Sequence, residues 1–557
     1  MRQLLRLLAV AAAVFETMAV TNDLTLSITN LDANRRLISW QMKSLVPPPG
    51  LPILPNHTLQ GSRDLVQWHN LQFYRGSNLL SRTLNFAVDI NSPTNFRFFR
   101  VQSSLDLSGR RFVFSQLGRA NFAGVNLTGV DFFGANLTNA NFSGANLSGA
   151  EVSFGFLPFA DFRKANLFGS SFIRANLHGS TFRGADASFS DFSNADLSST
   201  DLTGTDLRFT LLTDADLSFA RLHGALVDEN TIMPPKFFLI WRLVTFDSSF
   251  LSLKGLDMSV ANLVDANLEG SDLSKANLSG SELARVNLRR ANLLGANLNF
   301  ANLRDAQIDE TTQIDPKWRF VWQLHEHGGV GLNIGQTNLT RANLAEVDFT
   351  GANLARAVFT SNILFRANFT GANLSNATFF NADLGEVNFR QANLDRALFT
   401  GATLQGAIFE QAKMPFVNLS SQLLDDVKMR GATLTSVNFS FAQLSRADFS
   451  EAKLSNANFI QANLSSASFT NAVLNRASLN LARLNGVKAQ TASLVGALCV
   501  DAIFDNANFE GADLSEANLT RANLANANFR NAIMTNTILT GARFSNTIMP
   551  DGTRRSQ

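Results

Sequence analysis

The sequence predicts an all-β protein. Its main body is a parallel coil with flat sides and corners, preceded by a small β-sandwich-like module and broken by two short helical excursions. Three observations carry this reading. An apolar residue returns every fifth position over most of the chain, a period that neither a helix nor a flat strand produces. Phenylalanine is over-used, 48 residues beside 5 Trp and 1 Tyr, so an aromatic ring without a polar handle serves repetitively. The two breaks in the periodicity are copies of each other at an offset of 81 residues.

The first element is residues 1–19. Met1, Arg2 and Arg6 form a short basic start, Leu4 to Phe15 an apolar run, and Thr17-Met18-Ala19 a small-residue cleavage pattern. Together they predict a cleaved secretory signal peptide and an extracytoplasmic, bacterial mature protein beginning near Val20. The apolar run falls short of the ~20 residues of a membrane-spanning helix, and no transmembrane segment is expected later.

Residues 20–104 differ in composition. Prolines cluster from Pro47 to Pro55, and Trp40, Trp68 and Tyr74 all lie here. Five runs predict strands: Leu24–Thr29, Arg36–Met42, Leu65–Leu71, Leu79–Ile90 and Phe96–Ser103. A small β-sandwich-like module is expected, with the physical task of covering the open edge at the end of a coil.

The repeats occupy 105–227, 253–309 and 334–549, about 24, 11 and 42 copies. Their apolar centres shift by one register after each break: Leu107 to Leu222, Met258 to Ile308, and Leu339 to Phe544. A pentapeptide that forms one side of a coil explains the period. The central Leu or Phe points inward, and the Ala two positions earlier turns in at a corner. Asn or Asp just before the centre bonds the turn backbone or faces out. From Phe349 to Phe409 a Phe falls at every tenth position, so in a four-sided coil Phe stacks on two facing walls and Leu on the others. Cys499 occupies a central slot, where a small buried hydrophobe is expected.

Runs such as Ala367-Asn368-Phe369-Thr370-Gly371-Ala372-Asn373-Leu374 resemble the pentapeptide repeat family, over residues 105 to 549. The resemblance implies a right-handed quadrilateral parallel β-helix with four repeats per coil. Some members of that family are DNA-mimicking regulators of a type II topoisomerase, which would require an acidic, cytoplasmic molecule.

The excursions span 228–252 and 310–333, and a tail follows at 550–557. Asp315-Pro316 predicts a helix cap and first turn, and Gly328-Gly329 a stop, around a helix from Lys317 to His325. Trp318, Val321 and Trp322 would share its inner face. Asn546-Thr547-Ile548-Met549-Pro550 repeats Asn230-Thr231-Ile232-Met233-Pro234, which predicts one shared way of leaving the coil.

Charge and chemistry narrow the function. The chain carries 47 Lys+Arg against 45 Asp+Glu, with neither an acidic surface imitating nucleic acid nor a basic field for phosphate. One cysteine excludes a disulfide framework and a thiolate cluster. His178 and His223 fall on outward slots, where solvation is expected. His325-Glu326-His327 lacks the i, i+4 spacing of a zinc hydrolase. No phosphate loop, nucleophile elbow or paired-carboxylate site stands out, so no catalytic residue, metal or cofactor is expected. Phe154, Phe156, Phe159, Phe189, Phe209, Trp241, Trp318 and Trp322 form the candidate interaction surface. The sequence thus predicts a non-catalytic secreted scaffold binding another protein or envelope macromolecule, and no nucleic acid. The alternatives are a DNA-mimicking topoisomerase regulator, or an envelope enzyme with its site in the N-terminal module.

Overall fold

The computed structural model describes residues 106–556 and, ahead of them, the backbone of six strands. The signal segment and the linkers between those strands lie outside the described residues. The strands are β1 (Leu24–Asn30), β2 (Arg35–Met42), β3 (Asn56–Ser62), β4 (His69–Tyr74), β5 (Thr83–Asp89) and β6 (Phe98–Ser104). They pair antiparallel into two three-stranded sheets, β1-β2-β5 and β4-β3-β6. Strand β3 was not expected. It is the centre of its sheet, yet Asn56-His57-Thr58-Leu59-Gln60-Gly61-Ser62 is mostly polar and carries no strand-like apolar run. The run expected from Leu65 to Leu71 pairs instead from His69, with a register shift opposite Leu59 and Gln60.

The chain divides into two compact units, residues 1–248 and 249–557. In both, the pentapeptides form a four-sided coil. The residue before each centre pairs in parallel with the residue twenty positions on, as Asp106 does with Asn126 and Asn353 with Asn373. Twenty residues per coil is four pentapeptides, so the four-sided reading holds. Each corner is a tight turn: the Arg110 amide donates to the Leu107 carbonyl at 3.2 Å, and the residue between, Gly109, has φ of 64°. A positive φ at the third turn position is the type II geometry. This slot is Gly in many repeats because Gly alone adopts it without a Cβ penalty.

The slot before the centre does two tasks. Asn373 Oδ1 accepts from the Ser375 amide at 3.3 Å, which fixes the turn locally. Its amide group also donates to Asn353 Oδ1 at 3.0 Å and accepts from Asn393 Nδ2 at 3.1 Å. Stacked amides of this kind bind coil to coil outside the core.

Inside, Leu354, Phe359, Leu364 and Phe369 are fully buried, while Arg356 and Arg366 are exposed. Phe349 stacks face to face on Phe369, one coil away, at 4.9 Å and 6°. It meets Phe359 edge-on at 6.2 Å and 72°. Two facing columns of rings therefore interlock, alternating stacked and T-shaped contacts that aromatic quadrupoles favour. Corner slots that hold a hydroxyl in place of Ala satisfy it on a nearby carbonyl, as Thr205 Oγ1 does on Phe182 O at 2.8 Å. Cys499 is wholly buried, and burial pushes its thiol up to about 12.

Helix α1 (Pro235–Thr245) and helix α2 (Pro316–His327) are the two excursions. Both start with Pro at the first turn. Asp315 does not cap α2; its carboxylate accepts from the Gly295 amide of the preceding coil at 3.3 Å instead. Gly328, with φ of 69°, ends the helix as expected. The coil resumes at once at Gly329, whose amide donates to Asp348 O. A Cβ at Gly329 would lie 2.4 Å from the Phe349 ring, so glycine holds a central slot that the next coil's Phe fills. The shared exit also holds. Thr231, Thr312 and Thr547 each send Oγ1 to a carbonyl of the coil before, Leu207, Leu288 and Leu524, at 2.7 to 2.9 Å. The tail then closes with a two-residue ladder between β7 (Thr547–Ile548) and β8 (Arg554–Arg555).

Candidate interaction surface

The walls are built from the slots on either side of each centre, so a surface feature is a column of residues about twenty apart. Phe154, Phe159, Phe189 and Phe209 occupy the turn slot with φ of 58 to 60°. For a residue with a Cβ this left-handed conformation costs roughly 1–2 kcal/mol relative to the right-handed region. All four rings are nevertheless exposed, between 42% and 58%. An aromatic ring held in a disfavoured backbone state and left in water gains nothing for the fold of its own pentapeptide.

The structure sorts the expected residues into separate groups. Phe154 lies 5.3 Å from Phe133, and Phe133 lies 5.7 Å from Phe114. The Arg174 guanidinium sits 5.7 Å from the Phe154 ring. Phe156 is exposed on the following wall, and Phe159 on that wall packs edge-on against His178. On another wall, Phe209 stacks on Phe189 at 4.4 Å and 5°, and Phe168 joins at 5.2 Å. Phe114, Phe133 and Phe168 were not singled out by sequence. Their signal is an off-centre Phe nineteen to twenty-one positions from another, a spacing that becomes meaningful once the coil length is fixed.

The tryptophans behave differently. Trp241 Nε1 donates to Ala225 O, and Trp322 Nε1 donates to Ala306 O, both at 2.8 Å. Donors and acceptors both keep the 81-residue offset, so the two helices dock by one contact. Trp241 and Trp318 are buried and Trp322 half-buried, so these indoles fasten helix to coil and Trp241 and Trp318 offer almost no outer surface. Helix α2 adds Lys317 Nζ donating to Thr340 O at 2.5 Å and His325 Nε2 donating to Asn343 O at 2.9 Å. The expectation of a solvated His223 is corrected: its ring, though exposed, bonds the Val244 carbonyl at 2.6 Å. His178 is likewise held, with Nδ1 2.8 Å from Ser198 Oγ.

Burial holds the His325 imidazole below its ordinary value, outweighing the bond to the Asn343 carbonyl that pulls it up, with smaller opposed effects from Arg304 and Asp305. The folded chain therefore binds this proton less readily than the unfolded chain. The contribution of docked α2 is complete above about pH 6.5 and is lost as pH falls toward the lowered folded value. Thermal unfolding of the protein and of His325→Gln between pH 7.5 and 5 is expected to show a steeper acid loss for the unsubstituted chain.

Where charged residues on the walls form ion pairs, most of the pairs run across coils. Arg285 meets Asp265 at 2.7 Å, Arg366 meets Glu386 at 2.7 Å, and Arg446 meets Asp426. Asp186, Asp191, Asp196 and Asp201 fall on four successive walls and circle one coil; along the walls acid continues for one further coil at Asp206 and Asp216, while Leu211 and Arg221 follow Asp191 and Asp201. Among the described residues no cluster of three His, Cys, Asp or Glu could hold a metal, and no helix is long and apolar enough to cross a membrane.

A family model described as pentapeptide repeats matches residues 112–152, 160–198, 190–226, 249–280, 281–312, 337–376, 447–486, 482–521 and 512–549. A second, described as a pentapeptide repeat region, matches 382–459. No curated protein matches the chain. Among solved structures, similarity is found to HetL, a pentapeptide repeat protein involved in heterocyst differentiation regulation in the cyanobacterium Nostoc. It shows 25% identity over 42% of this chain and 98% of that one, with a TM-score of 0.27. A pentapeptide repeat protein of the Arabidopsis thaliana thylakoid lumen shows 28% identity over 27% of this chain and 78% of that one, at 0.14. QnrB1, a plasmid-mediated fluoroquinolone resistance protein, shows 22% identity over 34% of this chain and 91% of that one, at 0.18.

Proposed function

This chain belongs to the pentapeptide repeat family, and from that premise we propose that it is a non-catalytic β-helical scaffold that binds another protein or envelope macromolecule. The observation that carries the reading is the set of exposed Phe side chains in left-handed turn slots of residues 114–209. Aromatic anchors on a surface are what interface energetics favour, and the turn slot itself does not require Phe, since Arg356, Ser361 and Asn376 fill it elsewhere with the same positive φ. The repeat also leaves little room for catalysis. Inward slots are apolar, and the outward slots stand on flat walls whose acidic and basic groups are exposed or half-buried, some of them paired with each other. An acid, base or nucleophile needs an environment that shields it and shifts its pKa. The N-terminal sheets are proposed to form a sandwich-like cap for the first coil, and the basic and apolar start to direct export to an extracytoplasmic compartment of a bacterium.

The balanced charge weighs against a mimic of duplex DNA, whose phosphates would call for a long acidic wall, and the column of Asp186 and Asp206 spans only two coils between Asn166 and Leu226. The test is a paired capture from a native envelope fraction. One bait is the full chain, and the other carries Phe154→Ser, Phe159→Ser, Phe189→Ser and Phe209→Ser. The expected result is a partner retained by the first and lost by the second, with the substituted chain still folded and its melting temperature lowered only by the lost ring contacts. Equal capture by both would place recognition elsewhere, and a cofactor copurifying with the protein would overturn the non-catalytic reading.

A further inference from the structure

The coil ladder of residues 329–549 has one internal interruption. In the coil before it, the amides of Phe379, Asn381, Leu384 and Glu386 donate to the carbonyls of Leu398, Thr400, Thr403 and Gln405 at 2.8 to 3.0 Å. In the coil after it, Leu419, Ser421, Leu424 and Asp426 donate in the same way to Asn438, Ser440, Gln443 and Ser445. Between the two, the equivalent amides of Phe399, Gly401, Leu404 and Gly406 make no such bond, nor do those of Asn418, Leu423 and Lys428 in the reverse direction. The bridge that should join Thr403 to Leu423 is missing from an otherwise regular series. The wall of Leu404 and Leu424 has therefore parted. The adjacent wall of Phe399 and Leu419 is loosened, keeping the bridge between Leu398 and Asn418 but none of its close amide bonds. The other two walls still pair, through Phe409 to Lys428 and Leu394 to Lys413.

Two further features coincide with the gap. The corner slot that is Ala402 in one coil and Ala442 in another holds Gln422 between them. Its side chain is too long for the corner and is half-buried, with Nε2 at 3.5 Å from Phe399 O, across the parted wall. The facing Phe columns also stop here. Phe389 stacks on Phe409, but the next positions in the two columns are Leu419 and Met429, and stacking restarts at Phe439 and Phe449. The coil thus loses part of its backbone ladder, its aromatic stack and its small corner residue at one level.

We propose that this seam, between Phe399–Ala407 and Asn418–Lys428, is a hinge at which the coil stack opens while the coils on either side stay wound. In a stacked array each coil is held by its neighbours, so opening concentrates where the interface between neighbours is weakest. Gln422 acts as the wedge. The opening edge lies on the wall formed by Leu384 and Leu404, where Gly385, Gly401 and Gly406 leave a depression of about 660 Å³ beside Phe365. Movement at the seam would change the shape of that depression.

Hydrogen exchange on the full chain, read by mass spectrometry, tests the hinge. Peptides covering 399–406 and 418–428 are expected to exchange about 100-fold faster than those covering 349–389 and 444–489. Gln422→Ala restores the small corner and should slow the seam peptides at least about tenfold, leaving the flanks unchanged. Met429→Phe, which rebuilds the column from Phe409 to Phe449, should slow them as well and serves if the first variant folds poorly. Seam peptides as protected as the flanks in the unsubstituted protein would overturn the hinge. So would fast exchange that neither substitution changes.

Discussion

Phe379→Asp is expected to unfold the coils around it and to lower the midpoint of chemical unfolding more than any other single change considered. Phe379 is fully buried and stacked on Phe359 and Phe399, each at 5.1 Å, with edge contacts to Phe369 and Phe389. Removing a ring from such a site costs about 3–5 kcal/mol through lost contacts and the cavity left behind. The carboxylate adds a desolvation penalty, since no hydrogen-bond partner waits at the centre of the coil. In a stacked array the loss also breaks the interfaces with both neighbouring coils. Phe379→Leu is the control. Leu already alternates with Phe at the centres, so about 1 kcal/mol is expected. The Asp variant should recover part of its stability as pH falls from neutral toward about 4, because a buried carboxyl is held above its ordinary value and the neutral form is the one the core tolerates. A melting curve equal to that of the unsubstituted protein would refute the interlocked-ring core.

Asn362→Ala is expected to stabilise the protein by about 1–3 kcal/mol, the usual cost of an unsatisfied buried polar group. Asn362 sits in a corner slot between Ala342 and Ala382, is 1% exposed, and neither its side-chain oxygen nor its nitrogen has a partner. Other polar residues reach a carbonyl from this slot. Thr205 and Thr547 do so on residues 23 positions earlier, Phe182 and Leu524. The equivalent acceptor for position 362 is Leu339 O, so Asn362→Thr should gain stability as well. Urea unfolding of the full chain compares the three proteins. A lower midpoint in both variants would mean that the Asn362 amide contributes to stability in the folded chain.

Much of the fold was legible because the repeat is local. Leu or Phe at the centre, Ala at the corner and Asn or Asp before the centre each satisfy a requirement set within five residues: burial, tight turning, and a bond to the turn amide two positions on. The identical exits at Thr231 and Thr547, and the helix from Pro316 with its stop at Gly328, were legible for the same reason. The candidate surface was only half legible. Phe189 and Phe209 were singled out and do stack, but Phe114, Phe133 and Phe168 were passed over, and Trp241 and Trp318 were counted as surface although they are buried.

What the tertiary structure alone decided are the contacts made across coils and between helix and wall. Asp315 reads locally as a helix cap, yet a coil amide twenty residues away takes its carboxylate. Strand β3 has no local strand signal and exists because two partners flank it. Gln422 is visible in the sequence as a departure from Ala, but whether a corner absorbs it or the walls part depends on how two coils pack together. A five-residue period determines which way each side chain faces. It leaves open what that side chain meets one coil away, because that depends on the shapes of residues about twenty positions apart.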